Sequence, residues 1–324
     1  MPSHRKRTPI LLVLVWGVNA LGALFLGGLF LFYWLQNTAQ PIPSAPPPVL
    51  PSVTPVPSLT PPPTRYYLPT ITPNPRSTAI VFESPTPFIF SNTSRAQLIG
   101  LSVSGRPIEV YTFGNGGRQV MIVAGIHGGY EWNTIALADQ MILYLNDHPE
   151  IIPQDITLYI LRNLNPDGDA RDHGIDGRVN DHGVDLNRNF PVNWSATWER
   201  AGCFDLAPTT SGISPGSEPE TLAVMNFLMS HRVEALISYH SAGLGIFPGG
   251  EPWDEASMQL AQRIDDISDY PYPPVETGCT YTGTLADYAV SRGAAAVDLE
   301  LSDHTHTEFG VNLRVLGVLL HFKK

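Results

Sequence analysis

A chain of 324 residues with a formal net charge of -11 lacks the basic surface that a phosphate backbone demands, which excludes nucleic acid as a partner. Two cysteines, Cys203 and Cys279, are too few for a disulfide scaffold and leave one bridge or two thiols as alternatives. Residues are unevenly distributed: an apolar and Pro-rich N-terminal part leaves about 230 positions for one globular unit, enough for a single large core.

His4-Arg5-Lys6-Arg7 precedes an almost unbroken apolar run, residues 10–35. About 20 apolar residues span a bilayer as helix, whereas a cleavable signal has an apolar region of about 7–15. The run therefore reads as a transmembrane signal-anchor, with residues 1–9 cytoplasmic and Phe32, Tyr33 and Trp34 at the far interface. From 36 to 93 the chain is rich in Pro, Ser and Thr and nearly uncharged. Such a segment cannot bury enough apolar surface to fold, and its prolines favour an extended stalk on the order of 100 Å long. The remainder, 94–324, is expected outside the cytoplasm as one monomeric domain.

Within it, Gln97–Val103 and Ile108–Phe113 read as short strands joined by Ser104-Gly105-Arg106-Pro107. Gln119–Ile126 is a buried strand followed by a helix over Glu131–Leu145, and Ile156–Leu161 is another buried strand. Asn163 to Trp198 is rich in Gly, Asp, Asn and Arg without a regular period, a composition found more often in functional segments than in idle ones. Pro219–Leu228 predicts a helix with Ser217 as N-cap and Glu220 at the capping-box spacing. Ala235–Tyr239 predicts a strand, Asp254–Ile267 and Leu285–Ser291 helices, Ala294–Leu301 a final buried strand, and Phe309–Leu320 a closing helix. Strands alternating with helices give an α/β fold: one domain around a mixed, mostly parallel central sheet flanked by helices.

In open α/β sheets, sites form where strands end. His127, His240 and Glu300 stand at or near the carboxyl ends of predicted strands, and Glu131 opens the helix after His127. A catalytic zinc takes three ligands from His and carboxylate and keeps one position open, and His127, Glu131 and His240 supply that set. Each taken alone is an ordinary structural residue; a strand-end histidine usually satisfies a hydrogen bond, and an acid in a helix's first turn suits the helix dipole.

Taken together, the motifs resemble those of the zinc carboxypeptidase family, the carboxypeptidase A-like metallopeptidases. Ile99-Gly100-Leu101-Ser102-Val103-Ser104-Gly105-Arg106-Pro107-Ile108 is similar to the family's opening segment, and Asn165-Pro166-Asp167-Gly168 to its NPDG. Gly183-Val184-Asp185-Leu186-Asn187-Arg188-Asn189-Phe190-Pro191 is the most specific match, followed by Ser217-Glu218-Pro219-Glu220-Thr221. Ser238-Tyr239-His240-Ser241 resembles the segment of the third zinc ligand, and Asp298-Leu299-Glu300-Leu301 the strand of the catalytic glutamate. Two positions depart from the pattern. Three residues rather than two separate His127 from Glu131, a gap whose two glycines can absorb the extra length. Tyr130 stands where peptidases of the family often carry an arginine.

The resemblance implies one zinc ion held by His127, Glu131 and His240, and a water activated there to attack a peptide carbonyl. It gives Glu300 the role of general base and then acid, and Arg178 that of oxyanion donor, with Arg171 as rival. Asn187 and Arg188 would grip a terminal carboxylate, and Asp185 would orient the first histidine ligand. Tyr281, with Tyr272 behind it, matches the pocket tyrosine. Leu285 falls at the specificity position, where an aliphatic residue disfavours basic C-terminal side chains, although Asp287 leaves that open. The expected activity is a metallocarboxypeptidase acting on peptides. The runner-up is a cell-wall peptide amidase or endopeptidase whose diaminopimelate substrate uses the same carboxylate clamp. Deacylation of small N-acyl amino acids and an inactive binding domain are more distant readings.

Overall fold

The computed structural model describes residues 95–197 and 209–324. The segments read as anchor and stalk lie outside the described residues, as does Cys203. Among the described residues no helix is long and apolar enough to cross a membrane. Cys279 is disulfide-bonded, and among the described residues no cysteine is free.

Among the described residues seven strands form one sheet: β1 (Arg95–Leu101), β2 (Pro107–Gly114), β3 (Arg118–Val123), β4 (Ile156–Leu161), β5 (Val233–Ser241), β6 (Ile246–Pro248) and β7 (Ala295–Leu301). Their order is β1-β2-β4-β3-β5-β7-β6. The sheet is mixed, as the sequence suggests, but parallel pairing is confined to its centre. β4, β3, β5 and β7 run parallel, β2 and β6 flank them antiparallel, and β1 pairs antiparallel with β2 at the edge. The central strands are largely apolar because both of their faces are covered; every residue of β4 is buried.

Among the described residues six α-helices accompany the sheet: α1 (Trp132–Asp147), α2 (Pro166–Arg171), α3 (Pro219–Ser230), α4 (Glu255–Asp265), α5 (Leu285–Ser291) and α6 (Phe309–His321). The period of two along β3 sorts the core. Val120 and Ile122 pack with Leu137 and Met141 of α1, Leu260 of α4 and Leu316 of α6. Met121 and Val123 pack on the other face with Val224 and Phe227 of α3 and Leu285 of α5. Full burial of each such side chain stabilises the fold by about 1.5–3 kcal/mol. β4 and β5 flank β3 on opposite sides, and α1 and α3 lie on opposite faces. The carboxyl ends of β3 and β5 therefore frame the crevice that such a reversal of strand order opens.

Three local features differ from the sequence expectation. The segment 163–198, expected to be irregular, contains α2, whose Asn165 caps it by accepting from Gly168 N at 2.9 Å, with Pro166 in the first turn. β6 escapes a pattern search because it has only three residues. Ser217 does not cap α3, which starts at Pro219 without a side-chain cap. The carboxylates near that end are recruited across the fold instead. Asn180 Nδ2 donates to Glu218 at 2.8 Å and to Glu220 at 3.1 Å, and Val103 N donates to Glu220 at 3.0 Å. In the same region Asp167, fully buried, accepts from Ser102 Oγ at 2.6 Å, Ser104 N at 3.0 Å and Arg106 at 2.7 Å.

Candidate metal centre and active site

β3 ends at Val123, and Ala124-Gly125-Ile126 carries the chain to His127, from which a 3-10 turn over Gly128–Glu131 leads into α1. Thr134 Oγ1 accepts from Gly125 N at 3.0 Å and donates to the Glu131 carbonyl at 2.8 Å, stitching the strand exit to the helix start. Gly128 has φ +46, and a Cβ on Gly129 would lie 2.1 Å from the Asp172 carbonyl oxygen. The two glycines therefore let the longer His127–Glu131 connection coil against neighbouring backbone.

The three side chains converge. One ligand atom from each of His127, Glu131 and His240 lies within 4.8 Å of the others, and all three residues are buried. His127 Nε2 donates to Asp185 at 3.1 Å, which turns the Nδ1 lone pair toward Glu131 Oε1 at 2.7 Å and toward His240 Nδ1 at 3.2 Å. His240 Nε2 is turned away toward Ser238 Oγ at 3.1 Å, so its Nδ1 also faces inward, 3.2 Å from Glu131 Oε2. Glu131 Oε2 is buried without a hydrogen bond. Lone pairs and carboxylate oxygens so gathered repel one another unless a cation lies among them. Ligand atoms of a tetrahedral zinc at about 2.0–2.1 Å stand about 3.3 Å apart, close to the observed spacing of the two nitrogens. The residues fit one zinc ion.

Arg178 lies against this set. Its guanidinium pairs with Asp185 through two nitrogens at 3.0 and 2.9 Å and stands 3.5 Å from Glu131. Burial alone would raise the Asp185 carboxyl, but Arg178 and His127 hold it well below the usual range. Glu131 is likewise lowered, its desolvation overcome by His127 and His240. Glu300 behaves oppositely. Burial, then the neighbouring carboxylates of Glu131 and Asp298, push it up to about 8 against the pull of His240 and Arg178. A carboxyl poised near neutrality is suited to accept and return a proton.

His127, Glu131, Arg178, Asn187, Arg188, His240, Tyr281 and Glu300 all line one cavity of about 1290 Å³. That exceeds the span of about 300–1,000 Å³ usual for a small-molecule site and admits several residues of a peptide. Arg188 is buried, which lowers its guanidinium below the ordinary value, and lies 5.1 Å over the Tyr281 ring. Asn187 is engaged on both sides: its Oδ1 accepts from Leu285 N at 2.9 Å and its Nδ2 donates to Asp298 at 3.2 Å. The rival Arg171 is tied to the Asp176 and Val179 carbonyls and to Asp181, and it does not line the cavity.

Leu285 departs from its expected place. It is fully buried among Phe190, Val224 and Tyr288 and does not line the cavity. Helical rotation is the reason: two residues on, Asp287 comes round to the cavity wall while Leu285 points into the core. Tyr272 also packs against the core rather than the cavity. Asp298 and His304 are among the lining residues to which sequence reasoning assigned no role. Asp298 shares a strand face with Glu300, a signal present in the period of two. His304 is brought in by the loop after β7, which no local pattern announces.

Comparison with known proteins agrees with this geometry. Residues 89–312 match the zinc carboxypeptidase (peptidase M14) family. Mouse carboxypeptidase A6 is 32% identical over 247 residues, covering 65% of this chain and 56% of that protein. Rat carboxypeptidase A1 is 31% identical over 242 residues, covering 68% and 57%. The chain thus spans little more than half the length of these relatives. Among solved structures, carboxypeptidase A from Helicoverpa armigera superposes with a TM-score of 0.57 at 23% identity, over 70% of this chain and 68% of that one. The murein-tripeptide amidase of Escherichia coli O157 superposes with a TM-score of 0.52 at 20% identity, over 72% and 99%. These two likenesses bear on the fold alone. A matched segment that contains both histidines, Glu131 and Glu300, in a fold that gathers them at one crevice, identifies this chain as a member of the zinc carboxypeptidase family.

Proposed function

We propose that this chain is a zinc-dependent metallocarboxypeptidase that hydrolyses the C-terminal bond of peptides outside the cytoplasm, tethered to a membrane through residues 10–35. The observation that carries the reading is the opening of His127, Glu131 and His240 onto the same cavity as Glu300 and Arg188. Zinc bound there supplies Lewis acidity and a water of lowered pKa. Arg188, whose planar fork suits a carboxylate, holds the substrate's terminus and so places the scissile carbonyl beside Arg178. The Glu300 carboxylate takes a proton from the attacking water and delivers it to the departing amine. Arg178 donates to the oxygen that gains negative charge. Asp185 and Ser238 fix the outer nitrogens of the two histidines, which keeps their inner nitrogens aimed at the metal position.

The test is hydrolysis by the full-length protein of peptides with free and with amidated C-termini. Cleavage of the free form alone is expected; equal cleavage of both would refute the carboxypeptidase reading. Muropeptides form a third arm, because a diaminopimelate carboxylate meets Arg188 by the same chemistry. Preferential release from muropeptides would make the chain a cell-wall amidase of the same family.

A further inference from the structure

His304 lines the cavity and has no part in the chemistry described above. The loop that bears it is braced at both ends. Asp303 Oδ1 accepts from Thr305 N and from His306 N, each at 2.7 Å, and Glu308 Oε2 accepts from Ser302 N at 2.9 Å. Asn133, fully buried in the first turn of α1, donates through Nδ2 to the carbonyls of Asp303 at 2.7 Å and His306 at 3.0 Å. The His304 ring packs on Tyr130 with centroids 4.6 Å apart.

These contacts fix the protons. Two carbonyls at Asn133 Nδ2 mark that atom as the amide nitrogen, so Oδ1 can only accept. Ser241 Oγ lies 3.0 Å from this oxygen and donates its hydrogen there. The Ser241 oxygen then has only lone pairs to offer, and its 3.1 Å contact with His304 Nδ1 requires the imidazole to donate. In the neutral ring the lone pair consequently resides on Nε2. Among the described residues nothing donates to it. The fold thus holds a positioned acceptor at the wall of the substrate cavity.

The polarity of a bound peptide identifies the donor. Arg188 stands on the α5 side of the sheet: its Nη1 donates to the Asn187 carbonyl at 2.8 Å, and Asn187 Oδ1 accepts from Leu285 N at 2.9 Å. The Arg178 guanidinium lies 5.9 Å over the Tyr130 ring, and Tyr130 leads on to His304 at the start of α1, which covers the opposite face. A peptide with its terminal carboxylate on Arg188 and its scissile carbonyl beside Arg178 therefore extends its amino-terminal part toward Tyr130 and His304. The donors that an extended chain brings there are its backbone N–H groups, which are costly to bury unpaired.

Resting on the carboxypeptidase reading, we propose that His304 is a substrate-binding residue whose Nε2 accepts a backbone N–H of the peptide on the amino-terminal side of the scissile bond. Arg188 holds the end of the substrate, and His304 holds its body without regard to the side chains there.

The experiment measures, by calorimetry, binding of a short peptide with a free C-terminus to the zinc-loaded full-length protein carrying Glu300→Gln. A series of analogues replaces one amide N–H at a time, amino-terminal to the scissile bond, by an ester oxygen. One member of the series is expected to bind about 3- to 10-fold more weakly than the parent, the scale of a single hydrogen bond. With His304→Ala added, the parent and that ester should bind alike, while His304→Gln, whose carboxamide oxygen still accepts, should retain part of the ratio. A ratio that survives in His304→Ala, as it would if the ring served the fold alone, overturns the proposal, and so does a series with no weakened member. Should His304→Ala not fold, the ester series and His304→Gln decide it. Hydrolysis of the parent peptide by protein with Glu300 intact is assayed alongside. A ratio that depends on His304 in a protein that cleaves no peptide would sink the carboxypeptidase reading and leave this contact standing; cleavage without such a ratio does the reverse.

Discussion

His240 and Glu300 are direct register partners across the parallel strands β5 and β7. Alternation along a strand is strict, so that pairing sends both side chains to the same face at the same height. Ser238 and Asp298, two residues earlier on each strand, are paired likewise. A ligand, its orienting hydroxyl, and two carboxylates are thereby placed by four positions of one ladder. A slip of one residue would turn Glu300 into the apolar layer that holds Leu299 and Leu301.

The Glu300→Gln variant follows from this placement. It preserves shape and register while removing the proton carrier. We expect kcat to fall by about 10²–10⁴-fold with zinc content unchanged. Steady-state kinetics with metal analysis checks this, and a variant that keeps more than a tenth of wild-type kcat would remove Glu300 from the reaction.

Metal removal should separate ligands from their supports. Chelation is expected to abolish hydrolysis and lower Tm, with both restored by zinc, because an ion that binds only the folded state adds about 4 kcal/mol of stability at a thousandfold excess over Kd. Glu131→Ala should weaken zinc binding at least about 100-fold, and Asp185→Asn by about 10- to 100-fold through loss of the hold on His127 Nε2. Competition titration with a zinc chelator reads both; equal, small losses would argue against Glu131 as a ligand.

Gly129→Ala should be severely destabilising although it adds one methyl group to a loop. Its Cβ would meet the Asp172 carbonyl oxygen at 2.1 Å, and backbone cannot yield as a side chain tip can. A loss of about 3 kcal/mol or more is expected, together with weakened zinc binding. Gly117→Ala, where nothing lies within 4 Å, is the control. Urea denaturation of both variants decides, and comparable midpoints would show that the loop is not packed as described.

Stability of the metal-free protein should fall with rising pH on account of Glu300. Its folded carboxyl is raised to about 8 from an ordinary 4.5, so between those values the native state keeps a proton that the unfolded chain has released. Fewer protons on the unfolded state means that unfolding becomes easier as pH increases through that window. Above about 8 the contribution is lost entirely. Denaturation at pH 5, 6.5 and 8 should show a steeper decline for wild type than for Glu300→Gln. Parallel declines would contradict a raised Glu300.

Much of this was legible from the chain. The buried strands announced themselves as continuous apolar runs, and α5 matches its predicted bounds, Leu285–Ser291. His127, His240 and Glu300 were marked by their positions at strand ends. What could not be read was direction around a helix when the register of packing is unknown. Leu285 and Asp287 share one helical turn, and only the fold decides which of them meets the cavity. The parallel share of the sheet was overestimated because β2, which pairs antiparallel on both sides, carries the same β-branched and aromatic residue types as the parallel strands. His304 reaches the cavity through tertiary contacts with Ser241 and Tyr130 that leave no local trace.

The network of Asn180, Glu218, Glu220 and Asp167 ties the β1–β2 turn, α2 and the start of α3 together. Asp167, Glu218 and Glu220 come from the very motifs by which the chain resembles its family, yet none of the four lines the cavity. Those motifs are joinery. They hold the segment that bears Arg178 and Asp185 in place. A lineage could keep every such joint while the side chains along the cavity wall change around it.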